Sequence, residues 1–268
     1  MIIGNKDFDV KNNTYVMGIL NVTPDSFSDG GKWNNVDNAV AHAVKMAEEG
    51  ASIIDVGGES TRPGYTQITD DEEISRVVPV ISAIKKQLNI PISIDTYKSK
   101  VAKAALDAGA DLVNDVWGFK YDKDMAKVVA EYNATCCLMH NKDKIEYKDF
   151  INDMISETLE CADIALNAGV KKENIILDPG VGFGKTYEMN LMSIKHLDKL
   201  CQTGYPVLLG CSKKSVIGNT LDLPINERLE GTLVTTVMAV LSGCAFVRVH
   251  DVKENIRAIK MAQAIKNI

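Results

Sequence analysis

A three-part unit recurs along this chain: a short apolar segment, a polar loop and a stretch with helical periodicity. The apolar segments are rich in Val, Ile and Leu, which is typical of strands that are buried on both faces of a parallel sheet. The predicted strands are Tyr15–Leu20, Ser52–Val56, Ile92–Asp95, Asp111–Val113, Thr135–Met139, Ile175–Asp178, Val207–Gly210 and Ala245–Val249. The predicted helices are Val36–Glu49, Asp70–Leu88, Lys98–Ala108, Asp124–Tyr132, Phe150–Ala168, Glu188–Leu200, Glu227–Leu241 and Lys253–Ile265. Alternation of this kind over about 250 residues predicts an α/β fold, a closed (β/α)₈ TIM barrel, and an open doubly wound sheet is the alternative.

No linker or low-complexity segment divides the chain, so we expect one barrel domain over residues 1–268. Residues 1–13 precede the first unit, and we expect them to form a short N-terminal β-hairpin that closes the base of the barrel. The hydrophobic fraction of 46% and the charged fraction of 25% are those of an ordinary globular chain, which excludes intrinsic disorder.

Charge and local composition limit the partners and the location of the protein. The formal net charge of −6 argues against nucleic acid and anionic membranes as electrostatic partners. Met1–Asp7 shows no basic stretch followed by an apolar run, and the uncharged stretch Gly231–Val247 is too short and too rich in Thr for a membrane span. We therefore expect a cytoplasmic protein without a membrane segment. The six cysteines lack CxxC spacing, so we expect buried thiols rather than a zinc site or disulfides.

Polar side chains stand at or just after the end of nearly every predicted strand. Turn formation alone favours Asp and Asn at such positions. In a (β/α)₈ barrel, however, the carboxyl ends of all strands converge at one mouth, where active sites lie. Because these short apolar strands end so often in a polar group, we predict a functional site at that mouth. The residues concerned are Asn21, Asp55, Asp95, Asn114, Asp115, His140, Asp178, Ser212, Lys213, Lys214, Arg248 and His250.

The glycine-rich segment Gly180–Thr186 looks like part of a nucleotide-binding loop. A P-loop in this register requires glycine at position 179, where the chain has Pro179. The dinucleotide-binding fingerprint also fails, because the glycines at 180, 182 and 184 are spaced GxGxG rather than GxGxxG. We therefore exclude both nucleotide motifs.

Four segments closely resemble the dihydropteroate synthase family, and they occur in that family's order. They are Met17–Gly31, Asp178–Lys185, Gly210–Ser215 and Arg248–Asp251, and the resemblance extends from Tyr15 to the end of the chain. The resemblance implies a transferase of folate biosynthesis that joins 4-aminobenzoate to 6-hydroxymethyl-7,8-dihydropterin diphosphate. The implied products are 7,8-dihydropteroate and pyrophosphate. It also implies Mg²⁺ as the cofactor and a homodimer that forms through barrel helices.

The resemblance implies a pterin site made of Asp95, Asn114, Asp178 and Lys214. A carboxylate accepts two N–H groups at once, which suits Asp178 to the adjacent donors of a pterin ring. Asn114 both donates and accepts, so it suits the neighbouring ring edge, and Asp95 suits the other N–H groups. The donors of the pterin remove the penalty of burying these carboxylates.

The implied diphosphate site consists of Asn21, Thr61, Arg248 and His250, with Asn21 as the metal ligand. With so few protein ligands, a Mg²⁺ ion keeps waters and phosphate oxygens. Arg248 and His250 are two positions apart on a strand and so face the same way. Their structural alternative is a surface ion pair with Asp251.

The implied 4-aminobenzoate site consists of Phe27, Pro63, Phe183, Ser212 and Lys214. Two loops, residues 21–31 and 57–65, would form this pocket, with Phe183 stacked on the aromatic ring of the substrate.

The resemblance implies a dissociative mechanism, with Asp95, Asp178, Lys214 and Arg248 as the catalytic residues. Pyrophosphate leaves first with help from Mg²⁺ and Arg248, a cation forms at the pterin methylene, and the arylamine then attacks. This route needs no protein nucleophile, and no Ser-His-Asp order stands out in the chain.

Position 213 is Lys where the family typically has Arg. The change matters if the Arg makes a bidentate contact, and we expect instead that Lys213 only supplies charge. Two alternative functions stay open at this point. A methyltetrahydrofolate-dependent methyltransferase of the pterin-binding family shares the pterin residues but needs no diphosphate site. A catalytically silent pterin-binding barrel predicts damaged site loops, whereas the polar site positions here are intact apart from Lys213.

Overall fold

The structure, a computed structural model, describes residues 1–23, 32–59 and 66–268, without the side chains of residues 32–35. Three predicted site residues, Phe27, Thr61 and Pro63, lie outside the described residues. The strands are β1 Ile2–Ile3, β2 Lys6–Asp7, β3 Tyr15–Asn21, β4 Ile53–Gly57, β5 Ile92–Asp95, β6 Leu112–Asp115, β7 Thr135–Met139, β8 Ile175–Asp178, β9 Leu208–Leu209 and β10 Phe246–Val249. The α-helices are α1 Lys32–Glu48, α2 Asp70–Gln87, α3 Ser99–Asp107, α4 Met125–Glu131, α5 Phe150–Asn167, α6 Tyr187–Lys195, α7 Leu197–Cys201, α8 Ser215–Leu221, α9 Leu229–Ser242 and α10 Val252–Lys266.

Strands β3–β10 form one sheet in the order β8-β7-β6-β5-β4-β3-β10-β9, and neighbouring strands run parallel. The two ends of the sheet meet where Leu177 forms a parallel bridge to Val207. The Leu177 N–H also donates to the Pro206 carbonyl over 2.9 Å. The sheet is therefore closed, which confirms the predicted (β/α)₈ barrel and shows that the open doubly wound alternative is wrong.

Side chains alternate along each barrel strand between the interior and the surrounding helices. On β3, Val16 and Leu20 belong to the large core between strands and helices, whereas Met17 belongs to a smaller apolar cluster inside the barrel. That inner cluster also contains Leu112 and Phe246 from strands on either side. The interior is thus packed with apolar side chains towards the amino-terminal ends of the strands.

The hairpin of β1 and β2 closes the base of the barrel, as predicted. The two strands pair in antiparallel register. Ile3 and the nearby Phe8 are buried and belong to the inner cluster, with the Phe8 ring centroid 5.6 Å from that of Phe246. The polar groups of the barrel interior therefore lie at the opposite end, where the strands finish.

The predicted helix Glu188–Leu200 is two helices, α6 and α7. They meet at His196, whose φ of −110° and ψ of 27° are not helical. Ile194, Leu197 and Leu200 are all buried, so the apolar spacing continues across the break. Periodicity therefore predicted one helix, because it carries no signal at the residue where the backbone turns.

Helix α8 is an element that the sequence pattern did not predict. It has 7 residues, of which Val216 and Ile217 are buried. Two turns are too short to establish a period of 3.6 residues. The neighbouring strand β9 is shorter than predicted, since only Leu208 and Leu209 are assigned to it, and Val207 forms the isolated bridge.

Helix α2 begins at a capping-box sequence, Thr69 followed three positions later by Glu72, which predicts a helix start at this point. The Thr69 hydroxyl oxygen accepts the Glu72 N–H over 3.2 Å, which confirms the N-cap. The Glu72 carboxylate, however, pairs with Arg76 at 2.5 Å. The reciprocal half of the box is thus replaced by an ion pair one helical turn further on.

The sequence also predicted that the cysteines are buried thiols. All six thiols are free, and five of them are buried, as expected for small apolar side chains. Across the parts of the chain that the structure describes, no helix is both long and apolar enough to span a bilayer.

Candidate active site at the carboxyl end of the barrel

Polar side chains line the barrel interior just beyond its apolar base. Asp55, Asn114, Asp178 and Arg248 each follow a residue of the inner apolar cluster by two positions. Because strand side chains alternate, they point inward as well. The first three are buried. Because of this alternation, the polar residues at the strand ends form one ring of inward-facing groups.

Two glycines leave space within this ring. The register places Asn21 beside Gly57, and Gly57 beside Asp95. A Cβ atom on Gly57 would lie 3.6 Å from both the Asn21 Oδ1 and the Asp95 Oδ2. A Cβ atom on Gly210 would lie 3.4 Å from the Asp178 Oδ2. Side chains at these positions would fill the gap between the polar groups, so glycine leaves it open for a ligand.

Arg248 is the electrostatic centre of the site. Its Nε donates to Asp55 Oδ2 over 2.5 Å, and its Nη2 donates to Asp95 Oδ2 over 2.6 Å. Burial alone would lower the pKa of Arg248, but the two carboxylates outweigh it and raise that pKa. The alternative in which Arg248 pairs with Asp251 at the surface is wrong. Asp251 instead forms an ion pair with Lys213, whose Nζ lies 3.0 Å from the Asp251 Oδ2.

Two buried carboxylate oxygens, Asp55 Oδ1 and Asp95 Oδ1, have no hydrogen-bond partner among residues 1–23, 32–59 and 66–268. A buried acceptor without a donor is destabilising by about 1–3 kcal/mol, which a ligand or water donor would offset. Burial raises the pKa of Asp95 to about 7, although the Arg248 guanidinium opposes the rise. These oxygens are therefore well suited to accept N–H groups from a ligand.

Asp178 and Asn114 contribute further polar groups to the ring. The Asp178 Oδ1 accepts the Gly180 N–H over 2.7 Å, which fixes the orientation of the carboxylate. Burial raises the pKa of Asp178, and the nearby Lys214 ammonium opposes the rise. The Asn114 Nδ2 donates to Asp55 Oδ2 over 3.4 Å, a long bond that joins the amide to the same cluster. The ring thus combines acceptors with an amide that can also donate.

Lys214 and Phe183 form one edge of the site. The Lys214 Nζ donates to the Val181 carbonyl over 2.5 Å and lies 4.9 Å from the centroid of the Phe183 ring, a cation–π distance. Burial lowers the pKa of Lys214, and Asp178 opposes that shift. Phe183 also packs on an apolar cluster that includes Met139. A flat apolar surface beside a cation suits an aromatic ligand that carries an anionic group.

Ser212 and His250 bond to each other at the ends of β9 and β10. The Ser212 Oγ lies 3.0 Å from His250 Nδ1 and accepts the His250 backbone N–H over 3.2 Å. Lys213, between Ser212 and Lys214, adopts a positive φ of 57°. Its ammonium forms the ion pair with Asp251, so its charge is directed away from the Arg248 cluster.

Sequence reasoning missed two features of the site. It assigned no role to Asp55, because its partner Arg248 is 193 positions away in the chain. It also assigned no role to Lys185, the last residue of one family segment, whereas the Lys185 Nζ lies 2.8 Å from His140 Nδ1 inside the fold. The signal for Asp55 was its place at a strand end, but no local pattern indicated its partner.

Comparisons with known proteins agree with this geometry. Residues 17–250 match the sequence profile of the family described as pterin binding enzyme. A protein of Clostridium beijerinckii named dihydropteroate synthase is 60% identical, over 99% of this chain and 99% of that protein. A protein of Bacillus subtilis with the same name is 54% identical, over 96% of this chain and 90% of that protein.

Solved structures show the same fold. A dihydropteroate synthase from Clostridium difficile, crystallised in the presence of pteroic acid, superposes with a TM-score of 0.94 at 53% identity, covering 97% of this chain and 99% of that one. The Xanthomonas albilineans dihydropteroate synthase with 4-aminobenzoic acid superposes with a TM-score of 0.92 at 39% identity, covering 96% of this chain and 94% of that one.

Fold and polar ring together are those of a (β/α)₈-barrel enzyme, a class whose active sites lie at the carboxyl ends of the strands. The family follows from the profile match and the near full-length relatives. The chain belongs to the pterin-binding enzyme family and, within it, to the dihydropteroate synthases, which are transferases. The family predicted from the sequence motifs is thereby confirmed.

Proposed function

We propose that this protein condenses 4-aminobenzoate with 6-hydroxymethyl-7,8-dihydropterin diphosphate, and so forms 7,8-dihydropteroate and pyrophosphate. The observation that carries the proposal is the ring of buried polar groups at the carboxyl ends of the strands. Acceptors from Asp95 and Asp178 lie beside Gly57 and Gly210, which place no side chain next to these carboxylates. The names of the relatives, and the pteroic acid and 4-aminobenzoic acid in related structures, support the same reaction.

The pterin ring binds to Asp95, Asn114 and Asp178 in this proposal. Asp178 accepts two adjacent N–H groups of the ring, since its Oδ1 is already oriented by the Gly180 N–H. The unpartnered Asp95 Oδ1 accepts a further N–H group, which offsets the cost of its burial. The Asn114 amide donates to and accepts from the edge of the ring that lies between the two carboxylates.

Departure of pyrophosphate is the first chemical step that we propose. Arg248 stabilises the negative charge that grows on the leaving group, with His250 as a second hydrogen-bonding group. Positive charge then develops on the pterin methylene, and the carboxylates of Asp95 and Asp178 stabilise it. No protein nucleophile takes part: the 4-aminobenzoate nitrogen attacks the methylene carbon, and the new secondary amine loses one N–H proton to water or to the released pyrophosphate.

Mg²⁺ fits the described residues as a partner of the diphosphate. No group of three or more His, Cys, Asp or Glu side chains in the described ranges could hold a metal. Asn21 provides an amide oxygen next to the open space over Gly57, and Mg²⁺ often binds through one or two protein oxygens plus water and phosphate oxygens. When bound, the ion would neutralise charge on the leaving pyrophosphate.

The arylamine binds beside Phe183 and Lys214 in this proposal. The flat ring stacks on Phe183, while Lys214 and Ser212 bind polar groups of the two substrates. The remaining expected contacts, Phe27, Pro63 and the phosphate ligand Thr61, lie outside the described residues, so they stay predictions.

The test is an assay with both substrates and Mg²⁺ that measures pyrophosphate and dihydropteroate together. We expect the two products in equal amounts, and no condensed product when 4-aminobenzoate is replaced by benzoate, which lacks the attacking amine. Methyl transfer from methyltetrahydrofolate without pyrophosphate release would favour the methyltransferase. Tight pterin binding with no product would favour the silent barrel.

A further inference from the structure

The loop between β8 and α6 is held from inside the protein by Lys185. Its Nζ donates to the Gly180 carbonyl over 2.9 Å and to the Phe183 carbonyl over 3.0 Å. It also lies 2.8 Å from His140 Nδ1. An ammonium group has three N–H donors and no acceptor. These three acceptors therefore match the full donor capacity of the charged side chain.

His140 is fixed as an acceptor for this lysine. Its Nε2 lies 2.8 Å from Glu157 Oε2, and Glu157 Oε1 accepts from Lys142 Nζ over 2.6 Å. Burial, with the nearby Lys185 charge, lowers the pKa of His140 to about 4, so the ring is neutral at neutral pH. A neutral ring that donates from Nε2 to the carboxylate must accept at Nδ1. The tautomer that Glu157 favours is the one that Lys185 requires.

Stability alone is a poor explanation for a cation in this place. Lys185 is 9% exposed, and burial lowers its pKa to about 7, although Asp178 opposes that shift. Buried ions seldom stabilise a fold more than apolar side chains of similar size would. The loop that Lys185 holds, in contrast, carries a residue of the site.

The loop is closely packed against the segment that carries His140. Gly180 has a φ of +68°, and a Cβ atom there would lie 1.9 Å from the His140 carbonyl oxygen. Lys185 thus binds the loop at both ends of the turn from Gly180 to Phe183. The Phe183 ring projects from this turn to its place 4.9 Å from Lys214 Nζ.

We propose that Lys185 is a positioning residue. Its ammonium group, which is hydrogen-bonded to His140, fixes the backbone from Gly180 to Phe183. It thereby holds the Phe183 ring where the arylamine binds. The proposal rests on the proposed function, because it takes 4-aminobenzoate as the ligand of Phe183. It assigns Lys185 no contact with either substrate.

The first test is Lys185→Met, which keeps the length of the side chain and removes all three donors. We expect the KM for 4-aminobenzoate to rise about tenfold, while the KM for the pterin diphosphate changes less than about threefold. Lys195→Met is the matched control, because Lys195 is an exposed lysine of α6, and it should change neither constant. Equal increases in both KM values would overturn the proposal.

A double-mutant cycle separates positioning from general damage. If Lys185 acts through Phe183, then Lys185→Met should add little to the KM for 4-aminobenzoate in a Phe183→Ala background. Multiplicative effects of the two substitutions would overturn the proposal. If the methionine variant does not fold, Lys185→Gln retains two donors, and it should show the same selective rise at a smaller size.

Amide hydrogen exchange tests the same idea without any activity. Peptides that cover residues 180–184 should exchange at least about tenfold faster in Lys185→Met, while peptides from β3 to β5 keep wild-type rates. Unchanged exchange in this loop would overturn the proposal even in an active enzyme. Failure of the proposed function looks different, because the wild-type protein would then release no pyrophosphate.

Discussion

At the scale of single residues, burial raises the pKa of two carboxylates at the barrel mouth, Asp95 and Asp178. The two differ in their partners. Asp178 accepts a backbone N–H from Gly180 and lies near Lys214, whereas Asp95 is bound to Arg248 and keeps one oxygen without a partner among the described residues. Substitutions at these residues therefore test different parts of the proposed reaction.

Asp178→Asn replaces one acceptor oxygen by a donor that faces the donors of the pterin. We expect the affinity for a dihydropterin without a diphosphate to fall by at least about 2 kcal/mol, the cost of an unpaired buried group. Isothermal titration calorimetry measures it. Near wild-type affinity, with the fold intact by circular dichroism, would contradict the role of Asp178 as the pterin anchor.

Asp95 should make pterin binding depend on pH. Its pKa is raised to about 7, so the carboxyl is protonated below that pH and ionised above it. Because the ionised form accepts more N–H groups, affinity for a dihydropterin should increase about tenfold between pH 6 and pH 8, as the ionised fraction rises. Asp95→Asn cannot titrate and should bind with a flat profile. An equally steep profile in that variant would assign the titration to another group.

Arg248→Ala tests the proposed stabilisation of the leaving group. Turnover should fall far more than the affinity for a pterin without the diphosphate, because Arg248 acts on charge that grows as the bond breaks. The measurement compares kcat with the dissociation constant of 6-hydroxymethyl-7,8-dihydropterin. Similar losses in both would indicate that Arg248 mainly organises Asp55 and Asp95.

At the scale of elements, a buried ion cluster joins β4, α2 and the start of α3. The Lys98 Nζ donates to Glu59 Oε2 over 2.6 Å, to Glu73 Oε2 over 2.8 Å and to the Ile68 carbonyl over 2.8 Å. The Tyr97 hydroxyl donates to the other oxygen of Glu59. One ammonium group thus pairs with a carboxylate that follows β4 and with one on α2, and it also binds the backbone at Ile68.

Lys98→Met should be strongly destabilising, because it leaves Glu59 and Glu73 buried without their cation. Removing one partner of a buried ion pair typically lowers the free energy of unfolding by about 3 kcal/mol or more. Urea denaturation followed by circular dichroism measures the change. The matched control is Lys103→Met on α3, where an exposed lysine pairs with exposed Asp107, and it should leave the urea midpoint unchanged. Equal midpoints for both variants would contradict the importance of the cluster.

At the scale of the whole molecule, apolar side chains are exposed on one group of adjacent helices. Helices α6, α8 and α9 pack against one another. Leu191 and Met192 on α6, Leu221 on α8 and Val234 on α9 are each at least 39% exposed. An exposed apolar patch of this kind typically marks a protein interface. We expect a second copy of this chain to cover it, in line with the homodimer that the resemblance implies.

Val234→Lys should convert this dimer into a monomer, because Val234 is 61% exposed on this patch and a lysine buried by the second copy would lack a partner. Light scattering coupled to size-exclusion chromatography measures the mass. Ile2→Lys is the control, since Ile2 is 66% exposed on the hairpin at the base of the barrel, and it should stay dimeric. A monomeric wild-type protein would contradict the prediction.

Much of the fold and of the site can be predicted from the sequence, because it depends on residues that are close together in the chain. Short apolar strands alternate with helices, so periodicity predicts a parallel α/β fold with eight strands, with the (β/α)₈ barrel as the first choice. Strand alternation then directs Asn114, Asp178 and Arg248 into the interior once the apolar positions two residues earlier are known to face inward. The motifs around these residues were sufficient to predict the family.

Other features were decided only by the tertiary structure, since they depend on contacts between distant parts of the chain. The turn at His196 leaves the apolar spacing unbroken, so periodicity alone could not locate it. Arg248 meets Asp55 and Asp95 across the barrel, and Lys185 meets His140 beneath a loop. The sequence by itself determined which residues share one face of a strand, because side chains alternate with a period of two residues. Which charge pairs with which was set by barrel closure, because closure brings strands that are far apart in the chain within hydrogen-bonding distance.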